Sequence, residues 1–238
     1  MAGDATEDAV VRARRLPRLR VGLHVTIVDG RPVLPSNRVP DLVGPDGRFD
    51  DHLVRAGFRF FFLPHVRRQV NAEIRAQFEA FRATTLTLDH VNAHKHMHLH
   101  PTILGTILHI GREYGMRALR LPCEPSGGPD DLPLPSSRHH WERFVMRPWV
   151  AFMRHRLRKA DVRFNEFIFG LRASGHMSEE VFLRIVARLP FGVSEIYFHP
   201  AMPGPMTNGE EFSALISPRV RMALETAGVE PIAFCDLP

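Results

Sequence analysis

Five histidines crowd into DHVNAHKHMHLHP, residues 89–101, out of 14 in a chain of 238 residues. They are His90, His94, His96, His98 and His100. Neutral imidazole offers a nitrogen lone pair near pH 7, so this cluster indicates a site for a divalent metal. Five ligands on one short segment cannot all reach one ion, and most of them must have supporting or catalytic duties. A polar surface turn that binds no metal is the alternative.

Two further histidines follow strand-like residues elsewhere in the chain. His24 lies among apolar neighbours in GLHVTI, and His199 ends an apolar run in YFHPA, just before a proline. A lone histidine in either place is more often a satisfied structural residue than a ligand. Both gain interest only if the fold brings them to the 90–100 cluster.

The chain alternates β-like runs with helical ones. Strands are predicted over 19–28, 85–94, 116–122, 164–170, 195–201 and 229–234. Helices are predicted over 65–81, from Pro101, from Ser178 as an N-cap, between Ser217-Pro218 and Gly228, and around Asp4 and Glu7. This order predicts one α/β domain, residues 1–238, with a parallel sheet or barrel.

Strand parity orients the histidine segment. If 85–94 is extended, alternate side chains share a face, and Leu88, His90, Asn92 and His94 point the same way. That row runs from apolar to polar towards the carboxyl end of the strand, where α/β proteins commonly place their active sites.

Composition limits the partners and the compartment. The apolar content is 44%, charged residues are 24%, and the net charge of +5 comes mainly from dispersed arginines. Nucleic acid is therefore not an expected partner. The two cysteines, Cys123 and Cys235, are expected to be reduced thiols. Without a signal peptide or an apolar run of about 18 residues, the protein is predicted to be cytoplasmic.

Residues 141–159, WERFVMRPWVAFMRHRLRK, form a basic and aromatic segment that holds both tryptophans of the chain. Such a segment can rest on an anionic membrane surface, peripheral to the inner membrane. The alternative is a core-packing helix with a solvated arginine face. In either case Pro148 is expected to kink it.

Three ordered motifs resemble one family. GLHVTIVDGRPV, HVNAHKHMHLHP and YFHPA resemble the YdjC/ChbG-like carbohydrate deacetylases over essentially the whole chain. AHKHMHLHPT and ALRLPCEP are similar to the hopanoid-biosynthesis branch, HpnK. The resemblance implies a variant (β/α) barrel, TIM-like, that removes the N-acetyl group of an amino sugar with one divalent metal ion, magnesium or zinc.

The resemblance also assigns roles to residues. His24 and His94 correspond to metal ligands, and His199 of the HPA motif corresponds to the general acid. His96, His98 and Arg120 fall on the substrate side of the site. They complete the set of implied site residues. Asn92 stands where much of the wider family has aspartate, so the surroundings of the ligands are expected to differ.

One motif of the family has no counterpart in this sequence. The family's ADDFG supplies an aspartate ligand and a neighbouring base, and the resemblance therefore implies an N-terminally truncated domain that lacks the first strand and helix. A start codon placed too far downstream would explain this, and so would a true remnant. Neither Asp29 nor Asp89 is expected to replace the missing ligand.

The sequence thus predicts a metal-dependent deacetylase, with an N-acetylglucosaminyl hopanoid glycolipid as substrate. A metal-dependent phosphoesterase is a second possibility, although no Gly-rich phosphate loop occurs. A weakly active or inactive remnant that binds sugar, lipid or a partner is the third. A homodimer stays open.

Overall fold

A computed structural model describes residues 1–125, 138–204 and 209–237, with side chains of 138–147 left out. The helices are α1 (Thr6–Arg14), α2 (Leu53–Phe62), α3 (Pro64–Ala83), α4 (Pro101–Glu113), α5 (Arg138–Lys159), α6 (Glu179–Val186), α7 (Glu210–Leu215) and α8 (Pro218–Thr226). The strands are β1 (Val21–Val25), β2 (Leu88–Ala93), β3 (Phe167–Phe169) and β4 (Ser194–Ile196). Short 3₁₀ turns cover Ser36–Arg38, His94–Leu99 and Phe234–Asp236.

The strands form two small parallel sheets, β1 with β2 and β3 with β4. Backbone hydrogen bonds connect the two sheets through the segment 117–123. Single parallel bridges join Val91 to Leu119 and Ala118 to Arg163, and the Ile168 N–H donates to the Cys123 carbonyl at 3.0 Å. All these segments run in the same direction, so their carboxyl ends lie on one side of the molecule.

The predicted mixed α/β architecture is confirmed, but a barrel is not. Among the described residues the sheets stay small, and the expected strand over 116–122 is reduced to two single bridges. The strand predicted over 229–234 is wrong. None of its residues is buried, Pro231 has no N–H to donate, and the segment leads instead into the 3₁₀ turn at Phe234.

The predicted helices are present. The α3 helix starts at Pro64 and buries Val66, Val70, Ile74 and Phe78 completely or nearly so. Their spacing of four residues is the pattern that predicted the helix. Ser178 caps α6 by accepting a hydrogen bond from the Val181 N–H, and the Asp4–Glu7 region enters α1. The sequence did not predict α2 or α7.

The larger hydrophobic core lies where β1 and β2 pack against α3 and α4, and α5 contributes the fully buried Met153 and Leu157. Smaller clusters join β3 to α6, and α6 to α8. This packing holds β1 and β2 rigidly side by side. The carboxyl ends of these two strands carry the histidines.

The segment 141–159 falls within α5, which continues through Pro148. Met153 is buried against the core, whereas Trp149 and Phe152 remain partly exposed. The side chains of 141–147 lie outside the described residues. Over the part of the chain that the structure describes, no helix is long and apolar enough to cross a membrane.

Candidate active site

Strand register brings His24 and His94 together from 70 positions apart. His24 of β1 lies opposite Asn92 of β2, and His94 follows directly after β2. The Nε2 atom of His24 is 3.3 Å from Nδ1 of His94. Two nitrogens that each lie about 2.1 Å from one ion would be separated by roughly 3.0–3.4 Å in octahedral or tetrahedral geometry. The two imidazoles are therefore spaced to share a divalent cation.

The hydrogen bond to Asn92 sets the tautomer of His24. Nδ1 of His24 lies 2.5 Å from Oδ1 of Asn92, and an amide oxygen only accepts. Nδ1 therefore carries the proton, and the Nε2 lone pair points towards His94. Desolvation lowers the pKa of His24, which favours the neutral imidazole that a metal requires. The residue itself stays exposed, so a ligand can reach it.

Asp29 lies beside His94 rather than between the two histidines. Its Oδ2 atom is 3.8 Å from Nε2 of His94, the nitrogen that does not face His24, and forms a 2.6 Å ion pair with Lys95. The hydrogen bond from Lys95 holds the pKa of Asp29 below its usual range. Asp29 therefore lies next to His94 on the side away from His24.

The backbone turns sharply after His94. Lys95 and His96 both adopt left-handed conformations, with φ of 48° and 54°, and Met97 and His98 are buried. Left-handed residues other than glycine are uncommon and occur where the surroundings impose them. This turn ends the alternation of side chains at Ala93, so strand parity does not describe the histidines beyond it.

A row of rings connects the cluster to the HPA segment. The centroid distances are 5.9 Å from His98 to His96, 6.1 Å from His96 to Tyr197 and 5.3 Å from Tyr197 to His199. His98 has no exposed surface and lies behind His96. Burial, reinforced by the charge of Arg120, lowers the pKa of His96 to about 4. Three histidine motifs distant in sequence thus meet in one place.

His199 is exposed and held from two sides. Its Nδ1 atom lies 3.3 Å from Oγ of Ser174, and its backbone N–H donates to a carboxylate oxygen of Glu211. Glu211 is only 5% exposed and also accepts from the Met177 N–H at 3.3 Å. Because the residue is exposed, its ring is accessible to a ligand. Neither Ser174 nor Glu211 was predicted from the sequence.

Arg120 forms a buried ion pair that the sequence did not reveal. Its Nε lies 3.0 and 2.9 Å from the two carboxylate oxygens of Glu195, and its Nη2 lies 2.5 Å from Oε1. The guanidinium also lies 5.2 Å from the ring centroid of Tyr197. Parity along 195–199 was an available signal, because Glu195, Tyr197 and His199 alternate.

A polar cavity of about 540 Å³ adjoins the histidines through Asp29. The loop that follows Asp29 and the start of α2 line it. Its charged lining residues are Asp29, Asp46, Arg48, Asp50, Asp51, Arg55 and Arg59. Arg55 is paired with Asp50 at 2.6 Å, and Arg59 lies 3.8 Å from Asp41. A cavity lined in this way suits a ligand rich in hydroxyl groups.

The metal-binding capacity of the site rests on two residues. Within residues 1–125, 138–204 and 209–237, no group of three histidine, cysteine, aspartate or glutamate side chains is arranged around one point. His24 Nε2 and His94 Nδ1 are the two nitrogens that could bind a metal ion there, and the described carboxylates add no third atom at the same point.

His24 and His94 thus lie at the carboxyl ends of parallel strands, where α/β proteins commonly place their active sites. The chain belongs to the YdjC-like protein family, whose sequence profile matches residues 1–226.

Its relatives include proteins named carbohydrate deacetylase. The one from Homo sapiens is 31% identical over 99% of this chain and 80% of that protein. The one from Brevibacillus brevis is 39% identical, over 45% of this chain and 40% of that protein. A crystal structure from Enterococcus faecalis V583, named for cellobiose-phosphate cleavage, shares the fold with a TM-score of 0.67 and 22% identity. That match covers 95% of this chain and 81% of the other.

These findings confirm the predicted family and the link to carbohydrate deacetylases, which are hydrolases acting on amides. The HpnK branch, the metal and the roles of individual residues stay predictions.

Proposed function

We propose that this chain is a metal-dependent carbohydrate deacetylase that hydrolyses the N-acetyl group of an amino sugar. The observation that carries the proposal is the 3.3 Å separation of His24 Nε2 and His94 Nδ1 at the carboxyl ends of two paired strands. The names of the relatives support the substrate class.

In this proposal His24 and His94 hold one divalent ion, magnesium or zinc. When bound, such an ion polarises the acetyl carbonyl and lowers the pKa of a water molecule. Because the pKa values of His24 and His94 are both lowered, chiefly by desolvation, both rings are neutral near pH 7 and available as ligands. The Asn92 hydrogen bond keeps the His24 lone pair aimed at His94.

His199 is the proposed proton donor to the departing amine. Ser174 engages its Nδ1 atom and Glu211 anchors its backbone, so the exposed Nε2 is the atom that can meet the substrate. Protonation of the amine prevents its re-addition to the acetyl carbon and allows the C–N bond to break.

Arg120, His96 and His98 are the proposed substrate-side residues. Arg120 is held by its ion pair with Glu195, and its guanidinium group lies over the ring of Tyr197. His96 contacts the same tyrosine ring, and because its low pKa keeps it neutral, its imidazole can hydrogen-bond to the sugar. His98 lies too deep to touch a ligand directly in this conformation and would support His96 from behind.

The substrate we propose is an N-acetylglucosaminyl hopanoid glycolipid, as in the HpnK branch. The motifs AHKHMHLHPT and ALRLPCEP support it, together with exposed aromatic side chains on two helices. These are Phe58, Phe61 and Phe62 of α2 and Trp149 and Phe152 of α5. The proposal includes a single domain built as a variant (β/α) barrel. It also includes a cytoplasmic location with peripheral contact to the inner membrane through 141–159, and a homodimer as a further partner.

The test is release of acetate. The full chain is incubated with an N-acetylglucosaminyl lipid or N,N′-diacetylchitobiose and with Zn²⁺ or Mg²⁺. His24→Gln and His94→Gln are expected to reduce kcat/KM at least 100-fold, because each removes one of the two ligands. His109→Gln is the matched control, since His109 lies on α4 with a side chain that is 71% exposed.

Acetate release that is equal in wild type and both ligand variants would contradict the assigned site. Binding of the sugar without acetate release under any metal would favour the non-catalytic alternative, which the two-ligand set also suggests.

A further inference from the structure

Asn92 is hydrogen-bonded on both sides. Its Oδ1 atom faces His24, and its Nδ2 atom lies 3.4 Å from Nε2 of His90. Nδ1 of His90 lies 2.8 Å from Oδ2 of Asp89. The other oxygen of Asp89 accepts the backbone N–H of Cys235 at 3.0 Å. A continuous chain of hydrogen bonds therefore runs from the C-terminal 3₁₀ turn to His24.

Only one arrangement of protons satisfies every link of this chain with a neutral His90. The carboxylate of Asp89 can only accept, so Nδ1 of His90 donates and its Nε2 accepts. Asn92 must then donate its Nδ2 hydrogen to His90 and accept with Oδ1. Nδ1 of His24 becomes the donor, and the lone pair falls on Nε2. The negative charge of Asp89 thus determines which ring nitrogen of His24 carries the proton.

We propose that Asp89 and His90 are positioning residues that fix the tautomer of His24 through Asn92. They hold its free lone pair on the nitrogen that faces His94. The tautomer assignment stands on the hydrogen bonds alone, whereas its consequence for metal binding rests on the proposed function.

The surroundings hold the His90 ring in place. The ring of His90 stacks on Phe234, with centroids 4.4 Å apart and 25° between the planes. On the β1 side Gly22 leaves no room, because a Cβ there would lie 2.6 Å from the His90 ring and 2.8 Å from its carbonyl oxygen. Asp89 and Asn92 are 5% and 8% exposed, so little water competes for their bonds.

The simpler alternative is that Asp89 and His90 only attach the C-terminal turn to β2. The two explanations differ in what Asp89→Asn does. The new side chain must still accept the Cys235 N–H with its oxygen, which leaves its NH₂ group facing His90. His90 would then accept at Nδ1 and carry its proton on Nε2, and the Asn92 amide would turn over. His24 would accept at Nδ1 and become protonated at Nε2.

The experiment is long-range ¹H–¹⁵N correlation on the full chain with ¹⁵N-labelled histidine, metal-free at pH 8. Wild type is expected to show His24 protonated at Nδ1. Asp89→Asn is expected to move the proton to Nε2, and His90→Phe, which keeps an aromatic ring against Phe234, is expected to give a mixture. His109→Gln should leave the His24 signals unchanged.

A second readout is Zn²⁺ affinity measured by competition with a chromophoric chelator. Loss of such supporting hydrogen bonds typically weakens metal binding about 10- to 100-fold, and Asp89→Asn and His90→Phe should both fall in this range. The proposal is overturned if wild-type His24 is protonated at Nε2, or if its tautomer is unchanged in both variants. If the tautomer moves as expected but wild type binds no Zn²⁺, the proposed function fails while the positioning role holds.

Discussion

Replacement of Glu195 by alanine tests how much stability is lost when Arg120 stays buried without its ion-pair partner. The side chains of Arg120 and Glu195 are 11% and 15% exposed, and three contacts of 2.5–3.0 Å join them. Removal of one partner from a buried pair costs about 3–5 kcal/mol, because the remaining charge is left without compensation. Since some solvent reaches this pair, we expect a loss of about 3 kcal/mol in the free energy of unfolding.

Replacement of both partners should reverse most of that loss. In Arg120→Met with Glu195→Leu neither charge has to be desolvated, so we expect stability within about 1 kcal/mol of wild type. Glu195→Gln keeps an acceptor for one guanidinium N–H, so its free energy of unfolding should lie between those of Glu195→Ala and the double variant. The measurement is urea unfolding followed by circular dichroism, with the free energies obtained by linear extrapolation.

Glu225→Ala is the matched control. Glu225 pairs with Arg221 on α8, where the two side chains are 68% and 84% exposed, and exposed pairs contribute less than about 1 kcal/mol. The reasoning would be refuted by a Glu195→Ala variant that loses less than about 1 kcal/mol. A double variant as unstable as the single one would refute it as well.

Two further perturbations follow from burial and from close packing. The folded pKa of His96 is about 4, below the ordinary value of about 6.5, so the unfolded chain binds the proton first as pH falls. In chelator-treated protein its contribution is intact above pH 6.5 and declines by about 2 kcal/mol between pH 7 and pH 5. Free energies of unfolding in urea should therefore fall less steeply with decreasing pH in His96→Gln than in wild type, by up to about one bound proton; equal slopes would contradict the assigned burial. Gly22→Ala would place a methyl group 2.6 Å from the His90 ring and should cost about 1–3 kcal/mol in a thermal melt. Gly105→Ala, whose added Cβ would lie 3.9 Å from Arg156 Nη2 in ordinary van der Waals contact, should be neutral or stabilising, and a similar loss in both would argue against a specific clash.

The sequence predicted that His24 and His94 come together, but it did not predict the residues that hold the site in place. Parity along β2 placed His90 and Asn92 on one face, and the structure joins both to the chain that ends at His24. That prediction succeeded because His90 and Asn92 both lie within the extended strand β2, where alternate side chains share a face. It failed beyond Ala93, where the left-handed conformations of Lys95 and His96 depend on tertiary surroundings that no local pattern records.

The supporting residues could not be found by spacing. Glu195 is 75 positions from Arg120, and Glu211 reaches His199 through a backbone N–H. Such contacts depend on how whole elements pack. The α2 helix was missed although its residues follow a helical pattern, with Ala56 and Phe60 buried and Phe58, Phe61 and Phe62 exposed.

The double left-handed bend after His94 has a consequence for the use of the HKHMH pentapeptide as a marker or a building block. A peptide of that composition in water, or grafted onto an ordinary helix or strand, would spread its imidazoles according to the geometry of its host. Only a scaffold that buries Met97 and His98 beneath the bend imposes the arrangement seen here. The five residues can thus be transferred to another protein, but the arrangement of their imidazoles depends on the surrounding domain.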